Sequence, residues 1–311
     1  MNREAIVIGK GTKYPLKGIL TLPEDASAPV PAVVFVHGSG SSNMDEKVGK
    51  LTPFKDLTEG LARHGIASVR YDKRSFTHGF KMVRDKRLTI TVKEETIEDA
   101  VLAANLLRGD ARIDSDNIFI LGHSMGAMLA PRIDAEGGNF AGLILMAGSP
   151  RKLEEIMIDQ NKAVLEESKG LVRWILKKQV AKFTKLFDGL YELTDEAAKK
   201  KKMGNGVTLY YFKEMGEHSA SDYLIDLEKP VLIMQGERDF QANAAVDFAM
   251  YCDMLEGKRN VTFKLYEGLN HAFVPAIYDD IMKAKQEYGK ERHIGEEVIG
   301  DIACWIKEQC V

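Results

Sequence analysis

The sequence has little that would hold a chain together by means other than a core. Its 311 residues include only three cysteines, Cys252, Cys304 and Cys310. An odd count without metal-ligand spacing argues against a disulfide framework and against a zinc site, and it suits a reducing compartment. No segment approaches the roughly 18 consecutive apolar residues that a membrane-spanning helix needs. The N-terminal stretch MNREAIVIGKGTKYPLKG has neither a long apolar run after a basic start nor a small-residue cleavage site, so no secretory signal is expected. Excess charge is lacking too: 43 Lys and Arg face 46 Asp and Glu, for a net charge of −3. Such a chain has no field for gathering a polyanion, and nucleic acid is not an expected partner. There is no internal repeat and no low-complexity tract. The expectation is a cytoplasmic protein with no membrane partner.

A hydrophobic content of 45% is enough for a substantial core. Length alone suggests about two domains, although α/β folds often exceed about 250 residues as one unit. Short apolar runs bounded by turn residues alternate with helical patterns. Ala5–Ile8 and Lys17–Leu22 read as an early, antiparallel pair of strands. Ala32–Val36 (AVVFV) is continuously apolar, as in a strand buried on both faces. Further strands are predicted at Ile66–Tyr71, Asn117–Leu121, Gly142–Met146, Pro230–Gln235 and Val261–Tyr266. Helices are predicted at Phe54–His64, Thr96–Arg108, Met125–Ala135, Asn243–Leu255 and Glu296–Gln309. Strands alternating with helices imply a mostly parallel sheet flanked by helices.

One stretch breaks the rhythm. Between Met146 and Val231 no strand run is as strong as the others, and Val172, Ile175, Leu176, Val180, Phe183, Leu186, Phe187 and Leu190 recur at helical spacing. Arg173, Lys177, Lys182 and Lys185 fall on the other side. Such a helix either packs on its own domain with a solvated basic face or lies over a site and lines a pocket, and the two readings are compatible. The expected organisation is a core of residues 1–150 and 226–311 with a mainly helical cap at 151–225.

Gly122-His123-Ser124-Met125-Gly126 matches G-x-S-x-G. With 27 glycines in the chain the bare match is weak; chance supplies it in roughly one such chain in ten. Its context is what carries weight: a strand runs into it and a helix-competent run follows, the setting of a nucleophile elbow. Pro131 should kink or shorten that helix. A serine nucleophile needs a base. Of seven histidines, His37 and His123 sit in glycine motifs and read as structural, His64 ends a helix, and His78 lies in a loop after a strand. His218 falls near the end of the cap and His293 in a charged stretch. His271 alone follows the final strand, where this topology presents its base. Asp239, in the turn Gly236-Glu-Arg-Asp239 after a strand, is the chosen acid, with Glu237 as the alternative. Two N–H donors for an oxyanion are expected from Met125, the residue after the nucleophile, and from the loop His37-Gly-Ser-Gly40, where Ser39 is preferred to Gly40.

These motifs resemble those of bacterial α/β-hydrolase carboxylesterases, in particular the group of the Thermotoga esterase D, with dienelactone hydrolase-like relatives further off. The likeness covers nearly the whole chain outside the cap: VVFVHGSG, the pair Asp45-Glu46, PFKDLTEGLARHGIASVRYDKR, GHSMGAMLAPRI, QGERDFQ and KLYEGLNHAF. It implies an α/β-hydrolase fold with Ser124, Asp239 and His271 as triad. Asn43 and Met44 depart from it, standing where an acidic and a basic residue are expected. The reaction expected is hydrolysis of small or medium carboxylic esters through an acyl-enzyme, with no metal or organic cofactor. A small-molecule ester is the expected partner, and a homo-oligomer stays open. The alternatives are thioester or peptide cleavage, acyl transfer, or a catalytically silent fold used for binding.

Overall fold

The computed structural model describes residues 1–24, 28–204, 206–278, 283 and 286–310. Strands β1 (Asn2–Ile8) and β2 (Leu16–Leu22) form an antiparallel hairpin. They lead into β3 (Val30–Val36), α1 (Pro53–Arg63), β4 (Ala67–Tyr71), α2 (Arg74–Arg84) and α3 (Glu98–Arg108). Then come β5 (Ile113–His123), α4 (Met125–Ile133) and β6 (Leu143–Met146). The long connection that follows holds α5 (Leu153–Glu167), α6 (Gly170–Phe187), α7 (Asp195–Lys200), the short hairpin β7 (Lys202–Gly204) and β8 (Val207–Thr208), α8 (Leu209–Gly216) and α9 (Ala220–Leu224). The chain returns to the sheet at β9 (Val231–Gly236) and β10 (Val261–Tyr266), with α10 (Ala249–Met254) between them, and α11 (Glu296–Gln309) follows.

Eight strands make one sheet in the order β1-β2-β4-β3-β5-β6-β9-β10. Strand β2 is antiparallel to both of its neighbours, and from β4 to β10 every pairing is parallel. This is the α/β-hydrolase architecture. The apolar run of β3 explains its central place: Val34 and Val36 join the core on one face, Val33 and Phe35 the core on the other. A strand buried on both faces cannot alternate apolar with polar. On one side the sheet is covered by α3, α4 and parts of the insertion; on the other by α1 and α11, where Trp305 meets Phe119 edge to face at 5.8 Å between ring centroids.

Helix α2 was not legible in the sequence, and it places His78 on a helix rather than in a loop. The reason is physical. Only Arg74 and Met82 of α2 are buried, while Phe76, Phe80 and Val83 face outward, so no inward apolar stripe announces it. Pro131 acts as expected on α4: regular helix ends two residues later, and a wider turn at 134–138 continues the chain. Proline has no N–H to return to the carbonyl four residues back.

Strands β3, β5, β9 and β10 all point their carboxyl ends the same way. The loops leaving them carry His37, Ser124, Asp239 and His271 in turn. In parallel sheets that edge is where ligands bind.

Candidate active site

Ser124 ends β5 and caps α4 with φ 54° and ψ −120°, a strained backbone for a side chain. The two glycines of the motif make that conformation possible. A methyl group at Gly122 would strike the Gly126 carbonyl, and one at Gly126 would strike the Val36 carbonyl. The Ser124 N–H donates to the Met146 carbonyl at 2.8 Å, tying the turn to the neighbouring strand. Met125 is the first residue of α4, where backbone N–H groups have no partner within the helix and the helix dipole favours negative charge.

His271 lies in the loop after β10 and is buried, as is Asp239 after β9. Their side chains meet: His271 Nδ1 is 2.6 Å from Asp239 Oδ2. A carboxylate only accepts, so Nδ1 carries the proton and Nε2 of the neutral ring keeps its lone pair. Asp239 also accepts from Gln235 Nε2 at 2.8 Å, from the Gln241 N–H at 2.7 Å and from the Ala242 N–H at 3.0 Å. Glu237 goes elsewhere: its carboxylate accepts from the Gly268 N–H at 3.1 Å and is exposed. The His271 loop is held by Asn270, whose amide donates to the buried Glu287 at 2.7 Å.

Ser124, His271, Ser39, Gly40 and Met125 all line one cavity of about 800 Å³. Asp239 stands behind His271, outside the lining. The rest of the wall is mainly apolar and comes partly from the insertion, through Ile156 and Met157 of α5 and Tyr211 and Phe212 of α8. Helix α6, the one with the longest apolar pattern in the sequence, contributes no residue to this lining among the described residues. It packs on α5 instead, and its Phe187 meets Phe212 of α8 at 5.0 Å between ring centroids; Val180 and Phe187 are its buried residues. Val172, Ile175 and Leu186 of the same pattern are exposed.

Beneath the cavity lies a buried polar assembly that the sequence reading did not join. Gly38 approaches Ser124 so closely that a methyl on it would sit 3.1 Å from the serine Cβ. Its N–H donates to Glu46 Oε1 at 2.7 Å, and its carbonyl accepts from Lys73 Nζ at 2.9 Å. The carbonyl of Gly38 and the N–H of Ser39 belong to one trans peptide plane and point in opposite directions. Lys73 therefore fixes the direction of the Ser39 N–H, facing it away from the ammonium. Lys73 is paired in turn with Glu95 at 3.6 Å, and the Tyr211 hydroxyl donates to the same carboxylate at 2.7 Å.

Glu46 also lies 2.9 Å from His123 Nδ1, while His123 Nε2 is 2.8 Å from the His271 carbonyl. Nε2 thus faces a hydrogen-bond acceptor, while Nδ1 lies at ion-pair distance from the carboxylate without hydrogen-bond geometry, surroundings that favour the imidazolium. Burial opposes that charge, but the Glu46 carboxylate and the His271 carbonyl outweigh it and push His123 up to about 9. Burial likewise opposes ionisation of Glu46, yet His123 holds its carboxyl below the usual range. His37 is the reverse case. Burial, with Lys73 nearby, pulls it down to about 4, so it is neutral and donates to the Asn43 carbonyl at 3.0 Å. Asp45 pairs with Arg70 at 2.8 Å. The quoted pair Asp45-Glu46 is thus a double clamp on the glycine loop, but its partners come from β4 and β5, and no spacing in the sequence reveals them.

The family described as serine aminopeptidase, S33, matches residues 27–275. The chain belongs to this family. It is also 34% identical over 291 residues to the esterase EstD of Thermotoga maritima; the match takes in 94% of this chain and 65% of EstD, so the chain spans less than two thirds of that relative. Among solved structures, Est1E from Butyrivibrio proteoclasticus superposes with a TM-score of 0.58 at 17% identity, covering 98% of each chain. The Pyrococcus furiosus esterase PF2001 gives 0.56 at 16% identity, covering 99% of this chain and 91% of its own. At such identities these two likenesses concern the fold.

Proposed function

We propose that the chain hydrolyses neutral carboxylic esters with a largely apolar acyl or alcohol part, through an acyl-enzyme on Ser124. The observation that carries this reading is the pairing of His271 Nδ1 with Asp239 at the wall of the cavity that holds the strained Ser124. The Ser124 hydroxyl passes its proton to His271 Nε2 as its Oγ bonds the carbonyl carbon. Asp239 stabilises the resulting imidazolium, and the N–H groups of Met125 and Ser39 hold the oxyanion. The imidazolium then gives its proton to the leaving alkoxide, and the C–O bond breaks. Water, deprotonated by the same imidazole, attacks the acyl carbon; the Oγ–acyl bond breaks as the imidazolium returns its proton to Ser124 Oγ, and the acid is freed.

The cavity's chemistry favours esters over two rival substrates. Glu95 is the one carboxylate among the described lining residues, and it is already engaged by Tyr211 and Lys73. A substrate ammonium, as an aminopeptidase needs, finds no unused anion there. No Lys or Arg appears among the described lining residues, which disfavours substrates carrying a carboxylate or phosphate beside the scissile bond. The test compares nitrophenyl butyrate and octanoate with alanyl nitroanilide, for the wild type and Ser124→Ala. Ester turnover should exceed anilide turnover by about 10³-fold or more and fall about 10⁴-fold or more in Ser124→Ala. Faster anilide turnover would make the chain a peptidase; ester turnover that survives in Ser124→Ala would remove the serine mechanism.

A further inference from the structure

Helix α6 buries little for its length. Of its 18 residues only Val180 and Phe187 are buried, with Leu176 and Phe183 half-buried on the same side. Leu171 is 72% exposed, Val172 55%, Trp174 56% and Ile175 43%, and all four lie in its first two turns. Four large apolar side chains held in water at one end of a helix are not the ordinary scatter of surface hydrophobics. The cavity does not explain them, because α6 lines none of it among the described residues.

The charges on α6 point to an occupant. Arg173, Lys177, Lys178, Lys182 and Lys185 are all exposed, and the helix contains no Asp or Glu, in a chain whose net charge is −3. Lys178 Nζ sits 3.7 Å from the Trp174 ring centre, beside the apolar cluster. Arg173 also donates to the Leu165 and Glu166 carbonyls at 2.7 and 3.0 Å, which locks the turn from α5 and presents the helix rigidly. Along the chain the exposed Asp188 directly follows the helix, and Glu166 and Glu167 end α5 before it with Lys169 between, so the first two turns, where the apolar cluster lies, have only cations beside them on the helix. A second copy of this surface would bring two sets of cations together with no anion on either helix. An apolar end with an aromatic residue, ringed by Lys and Arg, suits the headgroup zone of a bilayer, where the cations meet lipid phosphate and the ring sits at the boundary.

Helix α2 repeats the pattern at the cavity. Phe80 is 71% exposed, lies on the cavity wall and has the Arg84 guanidinium 4.0 Å from its ring centre. Phe76 and Val83 are exposed beside it, at helical spacing.

We infer that α6 docks the protein reversibly on an anionic lipid surface. The absence of a spanning helix among the described residues does not bear on this, because a helix that lies in the interface needs no spanning length. Docking is separate from the chemistry proposed for Ser124 and is read without turnover.

The experiment is cosedimentation with sucrose-loaded vesicles of phosphatidylcholine alone or with one-quarter phosphatidylglycerol. Partitioning should be about tenfold stronger on the anionic vesicles and fall as salt rises from about 20 to about 500 mM. Trp174→Ser with Ile175→Ser should lower it about tenfold, and Lys178→Glu with Lys182→Glu should remove the anionic preference. Both variants should hydrolyse a soluble nitrophenyl ester at the wild-type rate, since all four substituted side chains are exposed and none of them lines the cavity. Equal partitioning on both vesicles, or binding unchanged in the variants, overturns the inference. So does a concentration-dependent dimer in sedimentation equilibrium that Trp174→Ser dissociates, which would make this face a contact between copies of the chain.

Discussion

At the carboxyl end of the sheet, Asp239 accepts four hydrogen bonds and both backbone polar groups of Gly38 are claimed, whereas α6 leaves most of its eighteen residues in water. The first region gathers buried charges, each within ion-pair or hydrogen-bond distance of a named partner. The second has little internal packing and carries like charges that repel. Buried polar groups are costly unless fully paired, so a region that spends several of them is organised around a geometry. A region with cations and apolar groups exposed is organised around something outside the chain.

If this contrast is right, substitutions at the strand ends should damage turnover far more than stability alone explains. The largest effect apart from Ser124 itself is expected for Asp239→Asn. The amide cannot hold the imidazolium or the proper tautomer, and kcat should fall about 10⁴-fold, against a few-fold at most for exposed Glu237→Gln. Steady-state kinetics on the two variants checks this; equal losses would break the assignment of the acid. Next in size is Lys73→Met. Loss of the ammonium frees the Gly38 carbonyl, so the Ser39 N–H loses its direction. We expect about a 10²-fold fall in kcat with KM little changed, the signature of a group that acts in the transition state. A thermal melt should accompany the kinetics, because Glu95 loses its cationic partner and keeps only Tyr211.

The same contrast divides the insertion. Met157 of α5 lines the cavity and Ile175 of α6 does not. Met157→Trp should shift preference toward shorter esters by about tenfold, by filling apolar volume. Ile175→Ser should leave the ester profile unchanged. A profile that moves with Ile175 and stays fixed with Met157 would mean that the cavity is not the substrate site.

The smallest expected effect concerns pH. His123 is raised in the folded state to about 9, so its pairing stabilises fully below the unfolded value of about 6.5 and is lost as pH climbs through 9. Glu46, held low, contributes above its unfolded value and loses that contribution as pH falls through its folded one. The melting temperature should therefore decline between about pH 6.5 and 9.5, and Glu46→Gln should flatten that decline. An unchanged slope in Glu46→Gln would place the alkaline loss elsewhere.

How far the sequence revealed this architecture depended on where each signal lies along the chain. The centre of the sheet was legible because its inner strands are buried on both faces and read as apolar runs, AVVFV above all. Ser124, Asp239 and His271 were legible because each lies within a few residues of a strand's carboxyl end: GHSMG at β5, Asp239 after β9, His271 after β10. Helix α2 was missed because its apolar residues point outward. Its neighbour Lys73, and Glu46 with His123, escaped for a different reason. Their meaning exists only across strands: Glu46 and His123 are 77 positions apart in sequence yet 2.9 Å apart in space. The apolar pattern of α6 was visible, but the side it turns to the protein was not. Periodicity fixes a stripe and does not say whether all of it is covered, and here Val172, Ile175 and Leu186 are bare.

The central claim is that Ser124 becomes covalently acylated by an ester carbonyl, and the most direct test weighs the protein as it is mixed with an ester. A stopped-flow run with an activated nitrophenyl ester, acid-quenched within the first turnovers, should give an intact mass increased by one acyl group. Peptide mapping should place that group on Ser124 of the Gly122–Gly126 turn, and the adduct should be missing from Ser124→Ala. If deacylation outpaces acylation, a fluorophosphonate trapped on the same hydroxyl gives the same readout. An adduct mapped to any other residue, or turnover with Ser124 never modified by ester or fluorophosphonate, would contradict the account.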